Sequence, residues 1–394
     1  MRKKRMWLQG LGLLLSMSLL AGCGGGGAKA PSGAQGNEIL VGANFELSGP
    51  VATYGQSTYN ATVLAFDEIN AKGGVLGKPI KLIKYDNKSD KTESANVATK
   101  LITQDRVSVL VGPVTSGSTL SVIPVATQHK VPVVTPTATS PDVTVDPNTK
   151  KVNDYLFRAC FLDSFQGRAA AEFAMKKGQK AAILISQSDE YSKGLGKYFG
   201  ETFKAKGGTI VAEEAFNPDD NDYMAILTKV RAENPDVIYL PAYYEAVGKI
   251  VKQARGLGIT VPFIGSDGWD SPKLAEVAGV ENLSNCFFTN HYTPQDPDPA
   301  VQAFVKAYQA KFEGQTPDAL AALAYDGARL VADAITRAGS TEPEAIKQAL
   351  AATKDFPAVT GKFSLNETHD PIKAIVVIEL KDGKQIVAEK LTGL

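Results

Sequence analysis

The chain has 394 residues, 44% of them hydrophobic and 8% aromatic, enough apolar mass for two domains of ordinary size. Its 42 Lys and Arg balance 42 Asp and Glu, and no basic block follows the first residues, which argues against nucleic acid or a polybasic membrane patch as partner. Three cysteines are too few for a disulfide scaffold.

The amino terminus reads Met1-Arg-Lys-Lys-Arg5, then an apolar run from Trp7 to Leu20, then Leu20-Ala-Gly-Cys23. A basic start, a short apolar core and small residues describe a secretory signal, too short for a stable membrane span. Ending in a cysteine, it looks like a bacterial lipoprotein signal: residues 1–22 removed, and the thiol of Cys23 lipidated. Residues 23–37, dominated by Gly, Ala, Ser and Pro, then read as a flexible tether. The mature protein is expected outside the cytoplasm, held to the membrane through the lipid alone. Of the two remaining cysteines, Cys160 and Cys286, the sequence allows either a disulfide or two separate thiols.

From Glu38 onward strands alternate with helices. Ile39 to Ala43 reads as a strand, Gln56 to Ala71 as a helix stopped by Gly73-Gly74, Ile80 to Tyr85 as a strand, and Lys91 to Gln104 as a helix. Val107 to Val111 is a β-branched, apolar run broken by Gly112 and Pro113. Thr115, Ser116 and Ser118 then supply cap chemistry for a helix to about Gln128. A strand ending in hydroxyls at a helix N-terminus presents free N–H groups and partial positive charge, a ready place for a carboxylate or phosphate. Val131 to Thr139 repeats the arrangement, and ligands of open parallel sheets bind just beyond such strand ends. Read alone, both stretches are equally well two capped turns with no ligand.

Pro136 to Asp154 is polar loop, and a second series follows. Strands at 181–186, 209–215, 237–240 and 263–266 alternate with helices at 193–206, 223–233 and 245–256. Helices follow at 299–312, 318–338 and 343–351, and the chain closes with strands at 373–380 and 385–389, joined by the hairpin dipeptide Asp382-Gly383. Two similar βα series predict two similar α/β lobes, each a doubly wound parallel sheet.

Catalytic and metal motifs are not found. Pro79 stands where a phosphate loop needs Ser or Thr, no serine sits in a Gly-x-Ser-x-Gly elbow, and His129, His291 and His369 are not paired at metal-ligand spacing. Asp86, Asp90 and Glu93, like Asp219, Asp220 and Asp222, read as helix starts rather than calcium loops. Binding without chemistry, and without metal or cofactor, is the expectation.

Several stretches, weak singly, become specific in order: Leu47-Ser-Gly-Pro-Val-Ala-Thr-Tyr-Gly55, Thr115-Ser-Gly-Ser-Thr119, Thr135-Pro-Thr-Ala-Thr139, Phe157-Arg-Ala-Cys-Phe161 with Gln166-Gly167, and Gly265-Ser-Asp-Gly268. With the lipoprotein signal and the two series, the chain resembles the branched-chain amino-acid-binding family of solute receptors, type I Venus-flytrap proteins that feed ABC importers, from about Ile39 to Leu380. The resemblance implies lobe 1 at 38–157 and 292–357, lobe 2 at 158–291 and 358–394, and a three-segment hinge near 157, 291 and 357. It also implies a monomer that closes on its ligand and presents the closed form to ABC permease subunits. By position, Ser116 and Thr139 match the hydroxyls on the ligand's α-carboxylate, helped by backbone near Ala138. Tyr243 and Asp267 match the tyrosine and acid on the α-ammonium, Tyr191 an aromatic wall of the second lobe, and Tyr54 the aromatic beside the ligand's side chain.

The chemistry agrees: a zwitterion needs donors at one end and a negatively charged acceptor at the other. Asp267 is shorter than the glutamate of the leucine/isoleucine/valine prototype, and Glu46 near the mouth of lobe 1 has no assigned role. The alternatives are a receptor or sensor of the same fold for an aromatic carboxylate or short amide, which would leave Asp267 without a cation, and an extracytoplasmic enzyme, for which no nucleophile–base pair is visible.

Overall fold

The computed structural model describes residues 36–391; the expected signal segment, Cys23 and all but the last two residues of the expected tether lie outside the described residues. The first sheet holds β1 (Ile39–Phe45), β2 (Ile80–Asp86), β3 (Val109–Val111), β4 (Val133–Thr135) and β5 (Leu156–Arg158), in the order β2-β1-β3-β4-β5 and parallel throughout. The second holds β6 (Lys180–Ser186), β7 (Thr209–Phe216), β8 (Val237–Tyr239), β9 (Phe263–Gly265) and β10 (Cys286–Asn290) in the matching order β7-β6-β8-β9-β10. A hairpin, β11 (Ile375–Lys381) and β12 (Lys384–Leu391), is added antiparallel to β10. These are the two doubly wound α/β lobes, and the chain's order of strands reverses beside β1 in one and β6 in the other.

Polar caps open some of the helices. In lobe 1, α1 (Ala52–Ala71) is followed by α2 (Lys91–Thr103), whose cap Asp90 accepts from the Glu93 N–H at 2.7 Å, and by α3 (Ser116–His129), capped by Thr115. Lobe 2 carries α4 (Asp163–Met175), α5 (Glu190–Ala205), α6 (Met224–Ala232), α7 (Tyr244–Gly256) and the short α8 (Lys273–Ala278). The chain then returns to lobe 1 with α9 (Pro299–Lys311), α10 (Ala319–Ala338) and α11 (Pro343–Ala351). Alanines along α10 let it lie close against α1 and the sheet, burying Leu320, Leu323, Leu330, Val331 and Ile335. Each such side chain contributes about 1.5–3 kcal/mol on burial. Asp318 caps α10 through the Ala321 N–H at 2.7 Å.

Strands β3, β8 and β9 are buried at every residue, so no polar alternation marks them. Cys160 and Cys286 are both free and buried, and burial raises the Cys160 thiol to about 12 and that of Cys286 to about 11. No described helix is long and apolar enough to cross a membrane.

The chain passes between the sheets three times. The third passage lies beyond 357: Thr360 bonds Asp326 of α10, His369 stacks on Phe157 at 4.1 Å and bonds the Leu156 carbonyl, and Asp370 pairs with Arg158 of β5 at 2.6 Å. Residues 358–370 are thus tied to lobe 1 by buried polar bonds that sequence spacing does not reveal. Arg158 also belongs to lobe 1, one residue past the expected boundary, as the end of β5.

Candidate ligand-binding site

The switch points of the two sheets face each other across a cleft, and the lobes touch there. The Tyr54 hydroxyl of α1 donates to the Gly268 carbonyl of lobe 2 and accepts from the Tyr244 N–H at 3.3 Å. The Thr53 and Ser271 hydroxyls meet at 3.2 Å, and Asp270 of lobe 2 accepts the Ala319 N–H at the start of α10 at 2.8 Å. The cleft is therefore closed.

On the lobe 1 side the loop from β3 to α3 forms the wall. Gly112 has φ +90°, and a Cβ there would stand 2.3 Å from the Asn44 carbonyl oxygen, so only glycine turns the chain so close to β1. Glu46, fully buried, accepts from the Val114 N–H at 3.0 Å, the Thr115 N–H at 3.1 Å and the Thr115 hydroxyl at 2.9 Å. The carboxylate without an assigned role is thus the clamp that fixes this loop. Ser116 and Gly117 occupy the first two positions of α3, where an N–H has no intrahelical acceptor. Ser116 Oγ accepts from the Ser140 N–H at 3.2 Å.

On the lobe 2 side Asp267 is 5% exposed and held by three donors. Gln166 Nε2 reaches one oxygen at 2.8 Å and the Tyr191 hydroxyl the same oxygen at 2.6 Å, while His291 Nε2 lies 3.0 Å from the other. Burial lowers the pKa of His291, so its ring is neutral and the nitrogen facing the carboxylate carries the hydrogen. That ring stacks on Phe161 with centroids 3.5 Å apart. Tyr191 also receives the Gly268 N–H at 2.9 Å, and its ring stacks on Tyr243 at 5.1 Å. Burial, then the charge of Asp267, push the Tyr191 phenol well above its ordinary range and keep it a donor. Beneath, Trp269 lies against Gly265, where a Cβ would meet the indole at 2.1 Å, and donates to the Leu240 carbonyl at 2.9 Å. Trp269 is a floor under the site, not a lining residue.

A small cavity remains between these walls. Tyr54, Ser116, Tyr191, Tyr243 and Asp267 all line it, with Val114 and Leu320 supplying the apolar surface. Ala138 and Thr139 do not. The Ala138 N–H is taken by Thr135 Oγ1 at 3.1 Å and its carbonyl by Arg158 at 2.6 Å, and Thr137 lines the cavity instead. The Thr139 hydroxyl is buried against the Asp163 carboxyl, away from the cavity. Burial, and next the charge of Asp267, raise the Asp163 pKa well above the carboxylate range and favour its protonated form. Sequence reasoning passed over Asp163, Gln166 and His291. Gln166 stood in a quoted motif, but its partner is 101 residues away.

Two open-sheeted α/β lobes, three passages between them and a polar cavity at the facing strand ends define a two-lobed solute receptor. Residues 38–385 match the family model described as periplasmic binding protein, and the chain belongs to that family. It is 32% identical to the Leu/Ile/Val-binding protein BraC3 of Rhizobium johnstonii, over 89% of this chain and 94% of that one. Among solved structures, the branched-chain amino acid transporter substrate-binding protein LivJ of Streptococcus pneumoniae, in complex with isoleucine, superposes with TM-score 0.83 at 39% identity, covering 89% of this chain and 98% of its own. The leucine-binding protein LivK of Thermotoga maritima gives TM-score 0.84 at 34% identity, over 90% and 98%. The chain is thus a solute receptor of the periplasmic binding protein family, a family that is extracytoplasmic.

Proposed function

We propose that this protein captures a small aliphatic α-amino acid, of the branched-chain kind, between its lobes and hands it to the permease of an ABC importer. The observation that carries the reading is the polarity of the cavity: a helix start with Ser116 on one lobe, and the Asp267 carboxylate on the other. The ligand's carboxylate lies at the start of α3, on Ser116 and the unpaired N–H groups of the helix start. Its ammonium lies at Asp267, with Tyr243 beside it, and its side chain against Val114, Leu320 and Tyr54. Thr137 takes the part first expected of Ala138. Asp267 already uses three of its lone pairs on protein donors, which fixes its direction and leaves one for the ammonium.

A ligand held by one lobe alone does not favour closure. Only contacts made by both lobes together shift the open–closed equilibrium. The protein works as a monomer, anchored through the lipid on Cys23. A structural likeness to receptors solved with benzoate, at 23% identity, bears on the fold alone. Calorimetry with leucine, isoleucine and valine against benzoate tests the reading: amino acids are expected to bind and benzoate to fail. Benzoate binding with no response to any amino acid would overturn it.

A further inference from the structure

Thr115 and Tyr243 line a second chamber as well as the cavity, so the two are neighbours. The chamber's lobe 1 wall is Gly117 and Ser118 with Lys91, and its lobe 2 wall includes Ser186, Ser188 and Asp189. Lys91 Nζ donates to the Ser188 carbonyl at 3.3 Å. A Cβ on Gly117 would come within 2.7 Å of Lys91 Cε, so glycine lets this side chain lie against the helix start and bridge the lobes.

Two buried oxygens of the lobe 2 wall have no hydrogen-bond partner: Ser186 Oγ, on a residue 2% exposed, and Asp189 Oδ2. Both residues are fixed in place. Ser186 gives its N–H to Ser192 Oγ at 2.8 Å, and Asp189 spends its other oxygen on the Tyr191 N–H at 3.2 Å. Buried acceptors left unpaired are costly, and a site built around them discriminates strongly for a ligand that supplies the missing donor. Lys91 and Lys249 border the chamber together with Asp189, Asp219 and Glu245, and Lys249 pairs with Glu245 at 3.4 Å, so charges of both signs surround the space and a neutral polar group suits it better than an ion.

We propose that this chamber is a side-chain subsite for a neutral hydrogen-bond donor, the primary amide of a glutamine-length side chain being the best fit. The receptor then takes such polar amino acids in addition to aliphatic ones. The inference rests on the amino-acid reading of the main cavity.

The test is titration calorimetry of the purified chain and its Ser186→Ala variant with L-leucine, L-norleucine and L-glutamine. Wild type is expected to bind glutamine at least about fivefold tighter than norleucine, the worth of one well-made hydrogen bond. Ser186→Ala removes an oxygen that holds nothing in the fold. It should therefore erase that preference and leave leucine binding and the melting temperature unchanged. Glutamine binding no tighter than norleucine on wild type, or a loss in Ser186→Ala shared equally by leucine, overturns the subsite while leucine binding keeps the main reading intact. Failure of all three amino acids to bind overturns both.

Discussion

The two halves of the cavity are built from different materials. Lobe 1 offers main chain and hydroxyls, rigid because a single buried carboxylate, Glu46, holds three donors of one loop. Lobe 2 offers side chains: one carboxylate, Asp267, oriented by an amide, a phenol and an imidazole drawn from three separate segments. A carboxylate thus organises each half, as an internal clamp in lobe 1 and as a cavity-lining group in lobe 2. The lesson is that burial with satisfied bonds does not by itself mark a ligand residue. What separates the two is that Asp267 lines the cavity and Glu46 does not.

Substitutions can sharpen this contrast. Asp267→Ala has the largest expected effect: a bound ammonium loses its partner, a cost of about 3–5 kcal/mol for a broken buried charge pair, hence a loss of more than a hundredfold in affinity. Circular dichroism should show lobe 2 still folded, and calorimetry with near wild-type affinity would remove Asp267 as the anchor. Glu46→Gln comes next. Its amide keeps one acceptor and turns an N–H₂ toward a backbone N–H that the carboxylate had satisfied, so affinity should fall about tenfold together with the melting temperature, from an expected loss of about 1.5–3 kcal/mol. An unchanged melting temperature would contradict the clamp.

Smaller still is Tyr54→Phe, which keeps the ring and deletes both inter-lobe bonds of the hydroxyl. About 1 kcal/mol of closed-state stabilisation goes with them, about a fivefold loss of affinity. Small-angle scattering should find the unliganded variant more open than wild type, and identical profiles would deny Tyr54 a role in closure. The least effect concerns pH. His291 is held below its ordinary pKa by burial, so below about pH 6.5 the unfolded chain takes up a proton that the native one resists. Stability is therefore lost as pH falls through that range. Replacing His291 with Asn should flatten the melting temperature between pH 7 and 5 relative to wild type, and parallel curves would refute the assignment.

Much of the architecture is legible in the sequence because β-branched runs end in Gly, Pro or capping hydroxyls at βα spacing. The helix at Asp163–Met175 is not. Its cap position is Leu162, which has no side-chain bond to give, and it carries Gly167, a poor helix former kept for a reason of packing: a Cβ there would stand 2.7 Å from Tyr198 Cβ on α5. Ser116, Tyr54, Tyr191, Tyr243 and Asp267, which line the cavity, are picked out in the sequence by the order of their motifs. The partners that aim Asp267 are not, because His291 follows β10 and Gln166 lies on the unrecognised helix. Thr137 lines the cavity and Ala138 and Thr139 do not, since which of three consecutive residues faces a cavity depends on the turn made by Thr135 Oγ1.

Arg158 has a consequence of its own. Its guanidinium is fully buried, joined to Asp370 at 2.6 Å, to the Ser140 carbonyl at 2.9 Å and to the Thr144 hydroxyl at 2.9 Å. It rivets the last connecting segment to the first at the edge of one sheet, as a bookbinder stitches two leaves to one spine. Two of the three connecting segments thus leave lobe 1 from a single buried ion pair.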